Sequence, residues 1–128
     1  MDYFIADKII INVKTSFNEF QSDVDNHEYF FNYHINIINQ SKDVVQLLSR
    51  EWHILDSNGE RRFVEGEGVV GEQPILLPGQ SFEYYSGCQL KTGFGKMKGV
   101  YFFQNLNNNE SFLVNIPSFQ FVLPWVLN

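Results

Sequence analysis

The alternation of apolar and polar positions marks most of this chain as β-strand. From Lys8 onward, Ile9, Ile11, Val13 and Thr15 fall on one face at period two, and Lys8, Asn12 and Lys14 fall on the other. That is the pattern of a half-buried strand, broken only by Ile10 on the wet side. Asn18 to His27 is polar and acidic and reads as a loop. The clearest strand follows, with Tyr29, Phe31, Tyr33, Ile35 and Ile37 alternating with Phe30, Asn32, His34, Asn36 and Ile38. A turn over Asn39 to Asp43 leads into a third strand from Val44 to Leu48. Ser49-Arg50-Glu51 then interrupts an apolar run that resumes at Trp52 to Leu55, a polar break of the kind that marks a bulge.

Asp56-Ser57-Asn58-Gly59 predicts a hairpin, since Asn-Gly suits a type I′ turn. Glu60 to Val64 is the returning strand and delivers the chain into Val64 to Gln73, a glycine-rich loop. Pro78-Gly79 marks a second turn, and Gln80 to Tyr85 a strand with Phe82 and Tyr84 on one face, ended by Ser86-Gly87-Cys88. Gln89 to Gly95 reads as a loop. Met97, Gly99, Tyr101 and Phe103 share one face of the next strand. Asn105 to Asn109 is a hairpin loop, Phe112, Val114 and Ile116 share a face, and a last short strand runs from Phe119 to Leu123 between Pro117 and Pro124. No 3.6-residue apolar period persists. About eight short strands with regular turn signals predict an all-β antiparallel sandwich or barrel. Without a linker or internal repeat, residues 1–128 form a single domain.

Composition removes several functions. The net charge is −6 and no Lys/Arg run exists, so the basic footprint of a nucleic-acid binder is missing. No apolar run approaches a membrane span. Met1-Asp2-Tyr3-Phe4 shows no basic segment ahead of an apolar one, so no secretion signal is expected and the cytoplasm is the default compartment. The single cysteine, Cys88, excludes an intramolecular disulfide framework.

Candidate chemistry concentrates near the glycines. Gly66, Gly68 and Gly71 have G-x-G-x-x-G spacing, but Pro74 and Pro78 follow at once, so no dinucleotide-binding helix opens here. The remaining options are a tight crossover and a backbone nest holding a phosphate. Against a nest stand Glu65, Glu67 and Glu72, which only nearby Arg50, Arg61, Arg62, Lys96 or Lys98 would offset. The soft metal ligands His27, His34, His53 and Cys88 are isolated in sequence, and no zinc spacing links them. His34 reads as a solvent-facing strand residue and Cys88 as a small buried hydrophobe. Ser86-Gly87-Cys88 lacks a nucleophile elbow. No catalytic residue, metal or cofactor is therefore assigned, and Glu67 and Glu72 are the carboxylates an enzyme reading would use.

The motifs Leu47 to Trp52 (Leu-Leu-Ser-Arg-x-Trp), Val64 to Pro74 (Val-Glu-Gly-Glu-Gly-Val-Val-Gly-Glu-Gln-Pro), Leu76 to Tyr84, Ser86 to Cys88 and Met97 to Tyr101 come in the order and spacing of the ApaG family. The chain resembles that family over nearly its whole length. It departs from it at Glu51, where the family usually has histidine, and at Gln89, where it usually has proline. The resemblance implies a fibronectin type III or immunoglobulin-like sandwich. It further implies a link to cobalt resistance and magnesium efflux in bacterial members, a protein-interaction role in eukaryotic relatives, and pyrophosphate or nucleotide binding at the glycine-rich loop in some. Two functions follow as expectations. One is a non-enzymatic module for a protein partner, tied only indirectly to divalent cations. The alternative is a phosphate or nucleotide sensor using Gly66 to Gly71. Sequence order predicts that Arg50, Trp52, the loop Glu65-Gly66-Glu67-Gly68-Val69-Val70-Gly71-Glu72, Gly87, Cys88 and Met97 converge on one surface.

Overall fold

The computed structural model describes residues 4–5 and 8–126; the N-terminal reading at Met1 to Tyr3 lies outside them. Two sheets pack face to face. The smaller has three antiparallel strands in the order β2 (Ile9–Phe17), β3 (Tyr29–Asn39), β7 (Ser81–Leu90). The larger has six. Its order is β1 (Phe4–Ile5), β9 (Ser111–Val122), β8 (Phe94–Asn105), β4 (Val45–Asp56), β5 (Arg61–Glu67), and the short β6 (Ile75–Leu76) also pairs with β4. All pairs are antiparallel except β1 with β9. This is the expected all-β sandwich, and its only helical turns among the described residues are 3₁₀, Val24–Asn26 and Pro124–Val126.

The core lies between the sheets. Phe31, Tyr33, Ile35 and Ile37 of β3 point inward at period two, as do Met97, Tyr101 and Phe103 of β8 and Phe112, Val114 and Ile116 of β9. Each such side chain stabilises the fold by about 1.5–3 kcal/mol through removal of apolar surface from water. Most of the rings meet edge-on or tilted, as quadrupoles prefer: Phe31 is 5.2 Å from Phe121, and Trp52 is 5.8 Å from Phe119, while Phe103 and Phe112 stack at 5.3 Å. The two buried polar side chains are satisfied. Asn39 Nδ2 donates to the carbonyls of Asp43 and Leu76, while its Oδ1 accepts from Ser41. Asp56 accepts from the Lys91 N–H and the Thr92 hydroxyl.

The polar break in β4 is a bulge, one residue earlier than its most polar stretch. Leu47 faces Phe103 and Ser49 faces Phe102, leaving Leu48 as the extra residue. The bulge changes the phase of burial, so Val45 and Leu47 point inward before it and Trp52 and Ile54 after it.

Other boundaries differ from expectation. β5 continues through Gly66 to Glu67, so the glycine-rich loop begins only at Gly68. β7 does not end at Ser86-Gly87-Cys88 but runs on to Leu90, since Gly87 pairs with Asn32 and its missing Cβ leaves room for the Phe30 ring. β9 passes through Pro117, with a register irregularity between Met97 and Gly99 of β8 to accommodate it, because proline cannot donate to a ladder. The Asp56 to Gly59 hairpin is also a different turn. Gly59 N–H bonds the Asp56 carbonyl, and of this stretch only Gly59 has positive φ. The loop thus has three residues, Ser57 to Gly59, and is not a type I′ turn, which needs positive φ at both central positions.

Candidate functional site

Three strands face six, and this mismatch creates the site. Arg61, Arg62, Phe63, Val64, Glu65 and Glu67 of β5 are all exposed. Opposite residues of an antiparallel pair share a face of the sheet. Since Trp52 pairs with Val64, Ile54 with Arg62 and Arg50 with Gly66, Arg62, Val64 and Gly66 face inward, towards a place where the other sheet ends at β7. From β7, Tyr84, Ser86 and Cys88 face the same space at period two. The result is a cleft of about 300 Å³ between β5 and β7, with Tyr33, Trp52 and Met97 among its lining.

At its end the chain folds over into a tight hairpin. Val69 and Glu72 exchange backbone hydrogen bonds of 2.8 and 2.9 Å around Val70 and Gly71, whose φ values are 43° and 81°. This pair of positive φ values is the two-residue type I′ arrangement, which the chain places at Val70-Gly71 and not at Asn58-Gly59. A β-branched residue at positive φ costs about 1–2 kcal/mol. Val69, fully buried, plugs the core beside it.

The hairpin is clamped from below. Arg50 Nη1 donates to the carbonyls of Glu67 at 3.1 Å and Gly68 at 2.8 Å. A Cβ on Gly66 would lie 2.9 Å from the same Nη1, so glycine there makes room for the guanidinium. A Cβ on Gly68 would meet the Glu72 carbonyl oxygen at 2.1 Å. Backbone N–H groups of Gly68, Val69 and Glu72 are all engaged within the fold. The two turn residues share one hand, whereas an anion nest alternates hands.

Trp52 is the centre of the cleft floor, 2% exposed. Its Cε3 and Cζ3 edge lies over Gly99 of β8, where a Cβ would come within 2.7 Å. The pyrrole edge is thereby turned towards the β5 side. Nε1 is buried and has no hydrogen-bond partner, an omission that costs about 1–3 kcal/mol. Beside it the Tyr84 and Tyr101 hydroxyls bond each other at 2.5 Å, and burial pushes both pKa values well up. Burial also raises Tyr33, against the Ser86 hydrogen bond and the Arg50 charge.

Arg62 closes one side of the cleft, donating from Nη2 to the Gln89 carbonyl and to Cys88 Sγ, the latter at 3.4 Å. Burial pushes the Cys88 thiol up despite Arg62, which opposes it. Cys88 is therefore a buried, neutral thiol, and a thiolate nucleophile would need the reverse shift.

The structure brings together Arg50, Trp52, Val69, Val70, Gly87, Cys88 and Met97 around the cleft. Gly66, Gly68 and Gly71 serve the backbone that carries it. Glu65 and Glu67 are on the outer face of β5 and gather with Glu51 around a separate shallow depression, and Glu72 lies exposed in the hairpin. Among the described residues no Asp, Glu or His lines the cleft. Tyr33, Arg62, Val64, Tyr84, Ser86 and Gln89 also line it and were not among the expected site residues. Counting by two from Trp52 across the Asn58-Gly59 hairpin would have found Arg62 and Val64. Among the described residues no group of three or more His, Cys, Asp or Glu is placed to hold a metal. His34, half-buried, lies tilted against Tyr85 and bonds Glu83 at 3.1 Å, and His53 lies tilted against Phe63. No helix among the described residues is long and apolar enough to cross a membrane.

Comparison with known proteins places this geometry in context. The model of the ApaG domain matches residues 19–105. Protein ApaG of Methylobacterium sp. (strain 4-46) is 45% identical over 118 residues, covering 92% of this chain and 90% of that protein. Protein ApaG of Mesorhizobium japonicum is 44% identical over 120 residues, covering 94% and 92%. Among solved structures, the putative ApaA protein of Bordetella pertussis superposes with a TM-score of 0.88 at 36% identity, covering 96% of this chain and 98% of that one.

Proposed function

Since the chain belongs to the ApaG domain family, we propose that it is a non-catalytic binding module that takes a segment of a protein partner into the cleft between β5 and β7. The single observation that carries this reading is the composition of the cleft. It offers donors at Arg62 and Ser86 with apolar surface at Val64 and Val70, and among the described residues no carboxylate or imidazole. General acid–base chemistry needs a titratable group within reach of the substrate. The tyrosines and Cys88 here are held protonated by burial. A cleft of this lining suits a carboxylate-bearing or carbonyl-rich peptide. Any effect on cobalt or magnesium then passes through the partner.

A second reading rests on two guanidinium groups. Arg50 and Arg62 both line the cleft, and a phosphate or nucleotide would sit between them more readily than on the closed hairpin at Gly68 to Gly71. Calorimetric titration of the protein with pyrophosphate, ATP and Co²⁺ separates the readings, alongside photo-crosslinking from Gln89 in the source cell. Saturable heat with pyrophosphate that disappears in Arg62→Ala favours the second reading. No heat with any of the three, with a single crosslinked protein lost in Arg62→Ala, favours the first. Micromolar Co²⁺ binding through His34, His53 or Cys88 would overturn both.

A further inference from the structure

We infer that the free edge of β5 pairs with β5 of a second copy of this chain, about a two-fold axis at Val64. The phase of the β4–β5 ladder is fixed at both ends, by Asp56 N–H to the Glu60 carbonyl and Gly68 N–H to the Leu48 carbonyl. Register is constant between them, with no bulge. Even-numbered residues therefore direct their backbone groups to β4. Arg61, Phe63, Glu65 and Glu67 direct theirs away from the sheet, where β5 is the last strand among the described residues. Of these groups the Glu67 carbonyl already accepts from Arg50 Nη1; the other donors and acceptors of the edge have no backbone partner among the described residues and form a template for another strand. Phe63 and Val64, 51% and 40% exposed, occupy its middle.

The side chains select the occupant. In an antiparallel pair centred on Val64, the outward face sets Arg61 opposite Glu67 of the second copy, and Glu67 opposite its Arg61. The hydrogen-bonding residues of both strands then coincide: Arg61 with Glu67, and Phe63 with Glu65. Val64 meets Val64 as a non-hydrogen-bonded pair, the closer kind. Centring on Glu65 would oppose two like charges, and centring on Phe63 would pair only five residues. Glu51 and Glu65 already lie opposite each other within one copy, an unfavourable pair. Arg61 of the second copy, diagonal to Glu65, offsets it. The operation is isologous and closes as a dimer, with the two clefts side by side on one face of a continuous sheet. This pairing does not depend on what the cleft binds.

Sedimentation velocity over a micromolar-to-millimolar concentration series tests it with the full chain. The expected result is a concentration-dependent dimer. Arg61→Glu and Glu67→Arg should each weaken it by about tenfold, and the double variant should restore it, since two cross-strand ion pairs are reversed and then remade. Hydrogen exchange on the unaltered protein gives a readout free of any folding defect. The N–H groups of Arg61, Phe63, Glu65 and Glu67 should gain protection with concentration, while those of Arg62, Val64 and Gly66 start protected. A monomer at every concentration overturns the proposal. So does a dimer in which those four amides stay unprotected, because another face then makes the contact.

Discussion

Along one long edge of the sandwich, β2 lies against β9, and the sheets are stitched where Thr15 donates to the Gln120 carbonyl at 3.1 Å. Along the other, no described strand lies opposite β5, and the polar links across the gap are Arg62 reaching to Gln89 and Cys88 and, at one end, Lys91 bonding Glu60 at 2.9 Å. β9 alternates buried and exposed residues along much of its length, whereas β5 is exposed at all but Gly66. What differs is the number of strands available to cover them. Alternation decides which face of a strand seeks burial, and the count of strands in the opposing sheet decides whether burial is completed. Where it is not, inward-facing residues such as Arg62 and Ser86 stay in contact with solvent and can hold something else.

Removing a ring from the closed region should have the largest effect. Phe121 is fully buried against Phe31, Tyr33 and Phe119, so Phe121→Ala is expected to cost about 3–5 kcal/mol, read by urea unfolding. A loss below that of any open-edge variant would erase the distinction between the edges. Next come the clamps of the hairpin. Gly68→Ala combines positive φ with a backbone collision and should lose about 2 kcal/mol or more, while Gly71→Ala, with open space around it, should lose about half that. Arg50→Ala, which strands the carbonyls of Glu67 and Gly68, should lose about 1.5–3 kcal/mol. Equal melting temperatures for Gly68→Ala and Gly71→Ala would refute the packing account.

The cleft floor should show itself in alkali. Tyr33, Tyr84, Tyr101 and Cys88 all have pKa values raised by burial. The stability this gives is complete below the unfolded values, 9.0 for cysteine and 10.0 for tyrosine, and is lost as pH rises from there towards the folded ones. The unfolding free energy should hold up to about pH 8.5 and then fall, by about 1.4 kcal/mol per pH unit for each group titrating only when unfolded. Tyr84→Phe should fall less steeply; an unchanged slope would mean Tyr84 titrates normally. The smallest effect on stability is expected at the open edge. Arg62→Ala should cost under about 1 kcal/mol yet remove most binding in the cleft, and a variant that unfolds would recast Arg62 as a support.

Much of this was legible in the sequence. The period-two runs of β3 and β8 fixed their inward faces, and chain order alone brought Arg50, Trp52, Cys88 and Met97 to one place. The errors share a cause. Gly66 and Gly87 look like interruptions because glycine commonly ends strands, yet here each continues a ladder and its missing Cβ admits Arg50 or Phe30. Ending β7 at Ser86 hid the alternation of Tyr84, Ser86 and Cys88. The role of Arg50 could not be read either, because the carbonyls it holds belong to a hairpin 17 and 18 residues away.

The two tryptophans sit in opposite surroundings. Trp125 is 58% exposed, whereas Trp52 is sealed under the cleft with its indole N–H unpaired. The indole excited state is stabilised by polar, relaxing surroundings, so the two should differ in colour: Trp125 is expected to emit near the wavelength of indole in water, and Trp52 well to the blue. The molecule thus carries an optical gauge of its own interior. Whatever enters between β5 and β7 and accepts that N–H will redden the blue component and leave the other as an internal reference.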